Sequence, residues 1–199
     1  MKILVAGATG NTGTRLVKEL CSRGHDPVAL VRSSSDTSDL PENVEQRLGD
    51  LSDLQKGITE GCEVVIFAAG SGGGTGEDMT DAIDRDGAIR LVDLAEKGGV
   101  RRFVMLSSVG AGDPDPDSEL VHYLKAKHDA DERLKKSSME TAILRPVSLT
   151  DDGPTGNVRL GDDVDPRGKA ARGDVAVILA NAAEQEDWVG AVQLMETIG

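Results

Sequence analysis

Tyr123, the only tyrosine in the chain, precedes Lys127 by four residues in the stretch HYLKAK. On a helix this spacing places both side chains on one face. A free phenol ionises near pH ~10 and a neighbouring ammonium favours the phenolate, so the pair has the makings of a proton donor and acceptor at neutral pH. The same spacing equally serves a half-exposed helix whose ring packs and whose amine is solvated. A second signature lies in VAGATGNTG, which spaces Gly7, Gly10 and Gly13 evenly. Glycines there let the backbone turn tightly and approach a pyrophosphate, and a helix starting beside them presents free N–H groups and the positive end of its dipole. The pattern is GxxGxxG rather than GxGxxG, which leaves Ala8, Thr9, Asn11 and Thr12 to shape the loop.

Further along, the residues bear on which dinucleotide fits. An NAD site has Asp or Glu at the end of the second strand to bond the ribose 2′-hydroxyl. This chain has Arg32 followed by Ser33. A guanidinium there pairs with a 2′-phosphate, which favours NADP while leaving NAD open and leaves a solvated strand-end arginine as the plain alternative. Asp50 and Leu51 follow the third strand. They form an acid–aliphatic pair able to receive an adenine amino group and pack on its ring, although Asp50 serves equally as the cap of a helix starting near Ser52.

The alternation of short apolar runs with amphipathic ones supplies the scaffold these residues need. KILVAG reads as a buried strand, and NTGTRLVKELCSRG as a helix with Leu16, Val17, Leu20 and Cys21 on one face. DPVALVR and NVEQRLGD read as strands, DLQKGITEG as a short helix and CEVVIFAAG as the fourth strand. Then come AIDRDGAIRLVDLAEKGG as a helix, VRRFVMLSS as the fifth strand, SELVHYLKAKHDADERLKKSS as a helix and METAILRP as the sixth strand. This order predicts an α/β fold, a Rossmann-type doubly wound parallel sheet in three layers, α/β/α. VSLTDDGPTGNVRLGDDVDPRGK reads as a polar loop, long enough to be functional or mobile, before a last helix near 172–184 and a strand near 188–196. GSGGGTGED at 70–78 has the composition of a flap over a site, or of a plain linker, and lacks the ending of a P-loop. No linker divides the 199 residues, so one domain with a small C-terminal substrate region is expected.

Asp and Glu number 35 against 22 Lys and Arg, a formal net charge of −13. Such a chain repels nucleic acid and anionic membranes at long range, and neither is an expected partner. Its dispersed acidic residues suit a hydrated surface at high salt, as in halophilic proteins, or an ordinary acidic protein. Cys21 and Cys62 lack any CxxC or metal spacing and read as core hydrophobes in a reducing compartment. Asp113, Asp115 and Asp117 are spaced like the start of a calcium loop. Ser118 stands where that loop needs glycine and Leu124 where it needs its closing glutamate, so no metal is expected. The first residues enter a strand rather than an apolar leader, and no run approaches the ~20 apolar residues of a membrane span. The expectation is a cytoplasmic monomer or small homo-oligomer acting on a small molecule.

In that order along the chain, GATGNTG, GDLSD, VIFAAG, DRDGAIRLVDLAEKGGVRRFVMLSSVGA, HYLKAK and ILRP resemble the atypical short-chain dehydrogenase/reductase superfamily. The resemblance is to its compact NmrA-like or epimerase/dehydratase-like subgroup, and it covers nearly the whole chain. It implies that Tyr123 is the acid/base and that Lys127 supports it and reaches the nicotinamide ribose. A serine at the end of the fifth strand would orient the substrate oxygen, Ser108 by its place and Ser107 as the fallback. The resemblance also sets Ala68, Ala69 and Gly70 of VIFAAG, and Arg145 and Pro146 of ILRP, along the cofactor. Asp84 stands where the superfamily's usual Asn belongs; a carboxylate there pairs with Lys127 or holds a water, or is a solvated helix acid. Two functions follow from the resemblance: an NADP-dependent oxidoreductase or epimerase-like enzyme, or a non-catalytic regulator that senses NADP redox state. A role as bare scaffold fits poorly with an intact phosphate loop.

Overall fold

The computed structural model describes residues 1–72 and 76–199. The apolar runs become the strands β1 (Lys2–Ala6), β2 (Asp26–Val31), β3 (Glu45–Leu48), β4 (Val64–Phe67), β5 (Arg102–Leu106) and β6 (Glu140–Pro146). The shorter strands β7 (Ser148–Thr150), β8 (Val158–Leu160) and β9 (Lys169–Ala171) follow, and β10 (Val192–Thr197) comes last. Eight of them form one sheet in the order β3-β2-β1-β4-β5-β6-β10-β8, while β7 and β9 pair apart from it. Every pairing is parallel except that of β8 with β10.

The helices are α1 (Asn11–Ser22), α2 (Glu77–Thr80), α3 (Ala88–Lys97), α4 (Val121–Lys135) and α5 (Arg172–Glu184). Because strand side chains alternate between faces, β1, β2, β4, β5 and β6 each feed two cores. Ile3, Val5, Ile66 and Val104 pack with Leu16 and Leu20 of α1 and Val175 and Leu179 of α5. Leu4, Val65, Phe67 and Phe103 pack on the other side with Leu91 and Val92 of α3 and Leu134 of α4. Each large side chain so buried contributes about 1.5–3 kcal/mol. The chain leaves β1 toward β2 and β3, then returns to pair β4 on the opposite side of β1. That reversal opens a crevice at the C-terminal ends of β1 and β4, the place where open α/β sheets bind ligands.

The expected three-layer architecture is present, with local corrections. DLQKGITEG forms no α-helix; it gives a 3₁₀ turn at Leu51–Asp53 and then bends. Gly57 and Gly61 take φ of +86° and +72°, a left-handed conformation that no helix interior tolerates. Helix starts at Glu77, before the expected AIDRDG segment, and α2 joins α3 through a π-helical turn at Asp81–Gly87. Helix α4 starts at Val121, later than expected. The expected polar loop after Pro146 carries β7, β8 and β9, strands too short to show a periodic apolar pattern. The last strand begins at Val192, after a 3₁₀ turn at Glu186–Trp188 and Gly190 at φ +77°. Of the expected flap, 73–75 lie outside the described residues. Among the described residues no helix is long and apolar enough to cross a membrane.

Asp174 locks the C-terminal region to the sheet. Its carboxylate accepts the N–H groups of Thr155 at 2.8 Å and Gly156 at 2.9 Å, and the hydroxyls of Thr155 and Thr197 at 2.9 Å each. Burial works against the charge, but these donors, led by the Gly156 N–H, outweigh it and hold the carboxyl below its usual range. Asp174→Ala should therefore lower stability by about 2–4 kcal/mol at pH 7, because four hydrogen bonds to one buried charged acceptor are lost together. With the folded pKa below the unfolded one, this contribution is complete above pH ~4 and is lost as pH falls through the folded value. Urea melts of both proteins from neutral to acidic pH check it; equal midpoints at pH 7 would contradict it.

Candidate functional site

The glycine loop closes tightly over the crevice. Gly7 has φ +82°, and a Cβ there would lie 2.6 Å from the Ala69 nitrogen, so only glycine fits between β1 and the end of β4. Gly13 leaves no room for a Cβ against the Gly7 carbonyl, which lets α1 start directly beneath the loop. Gly10 precedes that helix, donates its N–H to the Gly7 oxygen at 3.0 Å, and stands at a terminus with no side-chain cap and no acidic residue in the first turn. The N–H groups of a helix's first turn have no intrahelical partner, so this end is prepared for an anion. The cradle fits the pyrophosphate of a dinucleotide.

A recess of about 370 Å³ extends to one side, over β1 and β2. Gly7, Thr9, Gly10, Arg32, Asp50, Leu51, Ala68, Ala69 and Gly70 line it, as does Ser35, whose hydroxyl oxygen accepts the Arg32 N–H at 3.1 Å. Arg32 is exposed and pairs with no carboxylate among the described residues. Ser33 is exposed and off the lining, a place taken by Ser35 two residues on. Asp50 does both things its sequence position allows. Its carboxylate caps the following turn by accepting the Ser52 N–H at 2.9 Å and hydroxyl at 2.7 Å, and it also lines the recess. The Ser52 hydroxyl and N–H hold its carboxyl below the usual range.

A second recess of about 660 Å³ shares Gly10, Ala68, Ala69, Gly70 and Ser71 with the first, so the two form one groove across the strand ends. Asn11, Thr12, Ser107, Tyr123 and Lys127 line it. Lys127 is 3% exposed, and its Nζ lies 2.9 Å from Asp84 Oδ1, where Asp84 is fully buried on the π turn. The Nζ also donates at 3.4 Å to the carbonyls of Ala69 and Leu106, and it sits 5.7 Å from the centre of the Tyr123 ring and 5.6 Å from that of Phe67. The second Asp84 oxygen accepts the Ser71 N–H at 2.9 Å. Burial alone would lower the Lys127 pKa, but Tyr123 and Asp84 outweigh it and raise it above that of a free lysine. Asp84 thus takes the first of its expected roles, as the partner of Lys127.

Ser107, rather than Ser108, is on the chamber wall, and its hydroxyl donates to Asp131 at 2.8 Å. Ser108 is half-buried in the bend after β5. Arg145 and Pro146 are buried and off the lining; Arg145 instead donates through Nε and Nη2, at 3.1 and 2.9 Å, to the same Asp131 oxygen. Burial pushes the Asp131 carboxyl up against the pull of Arg145 and Ser107. Sequence reasoning missed Asp131, although it stands four residues after Lys127 on the same helix face. It also missed Ser35, Ser71, Thr80, Leu149 and Arg172, which line the groove from loops and short elements without a motif of their own.

A family described as NAD(P)H-binding matches residues 7–186. The chain is 35% identical over 203 residues to the "Uncharacterized sugar epimerase YhfK" of Bacillus subtilis, covering 98% of this chain and 94% of that one. It is 27% identical to the sanguinarine reductase of Eschscholzia californica, covering 94% and 85% of the two chains. Among solved structures, the "Putative NAD-dependent epimerase/dehydratase" of Bacillus halodurans superposes with a TM-score of 0.93 at 37% identity, covering 100% of this chain and 94% of that one.

The Asp84–Lys127 pair is withdrawn from water on both sides, so removing one charge strands the other. Lys127→Met should cost about 3–5 kcal/mol, and Lys127→Met combined with Asp84→Leu should cost less than Lys127→Met alone. Denaturant melts of the native protein, both single variants and the double variant measure this. Losses that simply add would show the two side chains to be uncoupled.

Proposed function

The chain belongs to the NAD(P)H-binding family, and from that premise we propose that it is an NADP-dependent oxidoreductase or epimerase-like enzyme in which Tyr123 is the acid/base. One observation carries this reading. A single groove joins the glycine cradle to the Tyr123 chamber, so a dinucleotide lying along it ends beside a phenol and a buried ammonium. The bound nicotinamide supplies or accepts hydride. The chain's own residues do the rest. Gly7, Gly10 and the start of α1 hold the pyrophosphate, Leu51 and Asp50 receive the adenine, and Arg32 meets the 2′-phosphate with its unpaired guanidinium. Tyr123 gives its proton to the substrate oxygen or takes one from it. Lys127 holds its ammonium against the Tyr123 ring, and Ser107, fixed by Asp131, offers its oxygen to the chamber.

A second reading, a sensor that binds NADP without turnover, draws on one observation. Asp84 already engages Lys127, which leaves less of the ammonium for the phenol or a ribose.

NADPH should bind more tightly than NADH, and Arg32→Ala should narrow the gap by about 1–3 kcal/mol, the range for charge-assisted hydrogen bonds. Calorimetry with both cofactors tests this, and equal affinities for the native protein would defeat it. Tyr123→Phe removes only a hydroxyl, so folding and NADPH binding should persist while turnover falls by about 10²–10⁴. A panel of aldehydes, ketones and quinones followed by NADPH absorbance separates the two readings. The enzyme reduces some member of the panel and the Phe variant does so far more slowly, whereas the sensor reduces none.

A further inference from the structure

We infer that the Tyr123 chamber takes a carbonyl compound with an apolar body and one anionic group, and that Arg172 recognises the anion; this rests on the reading of the chain as a reductase. The chamber's lining is mixed, with its apolar share supplied by Ala68, Ala69 and three leucines. Leu106 and Leu149 line it together with Tyr123, as does Leu120 with 60% of its surface exposed. Three of its hydroxyls have partners within the protein: Ser71 and Thr80 bond at 3.3 Å, and Ser107 donates to Asp131.

Charge sets the second half of the assignment. Lys127 and Arg172 are the cations on the described lining, and Asp84 neutralises Lys127. Arg172 opens α5, where the Asp174 bonds fix the helix start, and its Nη1 donates to Asp151 Oδ1 at 2.9 Å. The same oxygen accepts the Asn11 amide at 3.3 Å, so two donors bordering the chamber already converge on one carboxylate oxygen. Asp151 is 69% exposed, and an ion pair so solvated is weak and readily shared or exchanged. A ligand carboxylate that displaces Asp151 finds the same two donors there. The need for them is physical, because a chain of net charge −13 repels an anion until a local cation holds it. In the reaction the carbonyl carbon receives hydride from NADPH, the C=O electron pair takes the Tyr123 proton, NADP⁺ is left, and water restores the phenol.

The test compares 4-formylbenzoate with its methyl ester, which has the same ring and aldehyde without the charge. With the full chain and NADPH, kcat/KM for the acid should exceed that for the ester by about 10-fold or more. Arg172→Gln should bring the ratio close to one, and Arg172→Lys should restore part of it. An ester reduced as well as the acid by the native protein overturns the inference and leaves the reductase reading standing. A glutamine variant that loses NADP⁺ affinity with the acid's advantage intact also overturns it, since Arg172 would then serve the cofactor phosphates. If neither aldehyde is reduced, the panel of aldehydes, ketones and quinones still judges the reductase reading, and calorimetric titration of 4-formylbenzoate into the NADP⁺ complex decides the inference. Binding of the acid but not the ester, dependent on Arg172, supports the recognition site; no binding ends it.

Discussion

Two opposite charges, Asp84 and Lys127, meet out of reach of water between the π turn and α4, and much of the groove is shaped by holding them. A charge so buried is tolerable only when it is paired and hydrogen-bonded. The surroundings meet that demand from several elements. The Ser71 N–H and the carbonyls of Ala69 and Leu106 turn toward the pair from the ends of β4 and β5. At Gly70 a Cβ would come within 3.3 Å of the Asp84 carboxylate and press against it. The π turn carries Asp84 into the interior where the rest of the helix presents apolar residues. Tyr123 then lies over an ammonium whose position is fixed before any ligand arrives.

The cradle on the other side of the crevice follows a steric rule instead. Backbone packs on backbone where Gly7 meets Ala69 and Gly13 meets Gly7, and that contact leaves the start of α1 uncapped. One wall of the groove is therefore set by electrostatics and the other by the absence of side chains. Ala68, Ala69 and Gly70 belong to both, which is why the two recesses run together.

What was legible in the sequence had a local cause. β1, β2, β4 and β5 announced themselves because each is apolar on both faces, and the phosphate loop because a glycine at positive φ has few substitutes. Tyr123 and Lys127 showed through helical spacing, and Asp84 was readable as a departure from a known pattern. Asp131 carried the same spacing but no motif to draw attention to it. Ser35 and Arg172 were not legible at all, since they reach the groove through a bend after β2 and through the junction of β9 with α5. The short helix expected in DLQKGITEG failed for a reason visible in its glycines, and the three-residue strands after Pro146 depend on partners far along the chain.

The β7–β9 ladder stands apart from the main sheet, and it carries Leu149 and places Asp151 and Arg172. Nothing in the cofactor cradle is built from it. Exchanges confined to the chamber-facing Leu149 and Arg172 thus alter the chamber while leaving the glycine loop and the main sheet as they are. Over evolutionary time a lineage with this layout can change what it acts upon by rewriting one peripheral ribbon while inheriting its coenzyme unaltered.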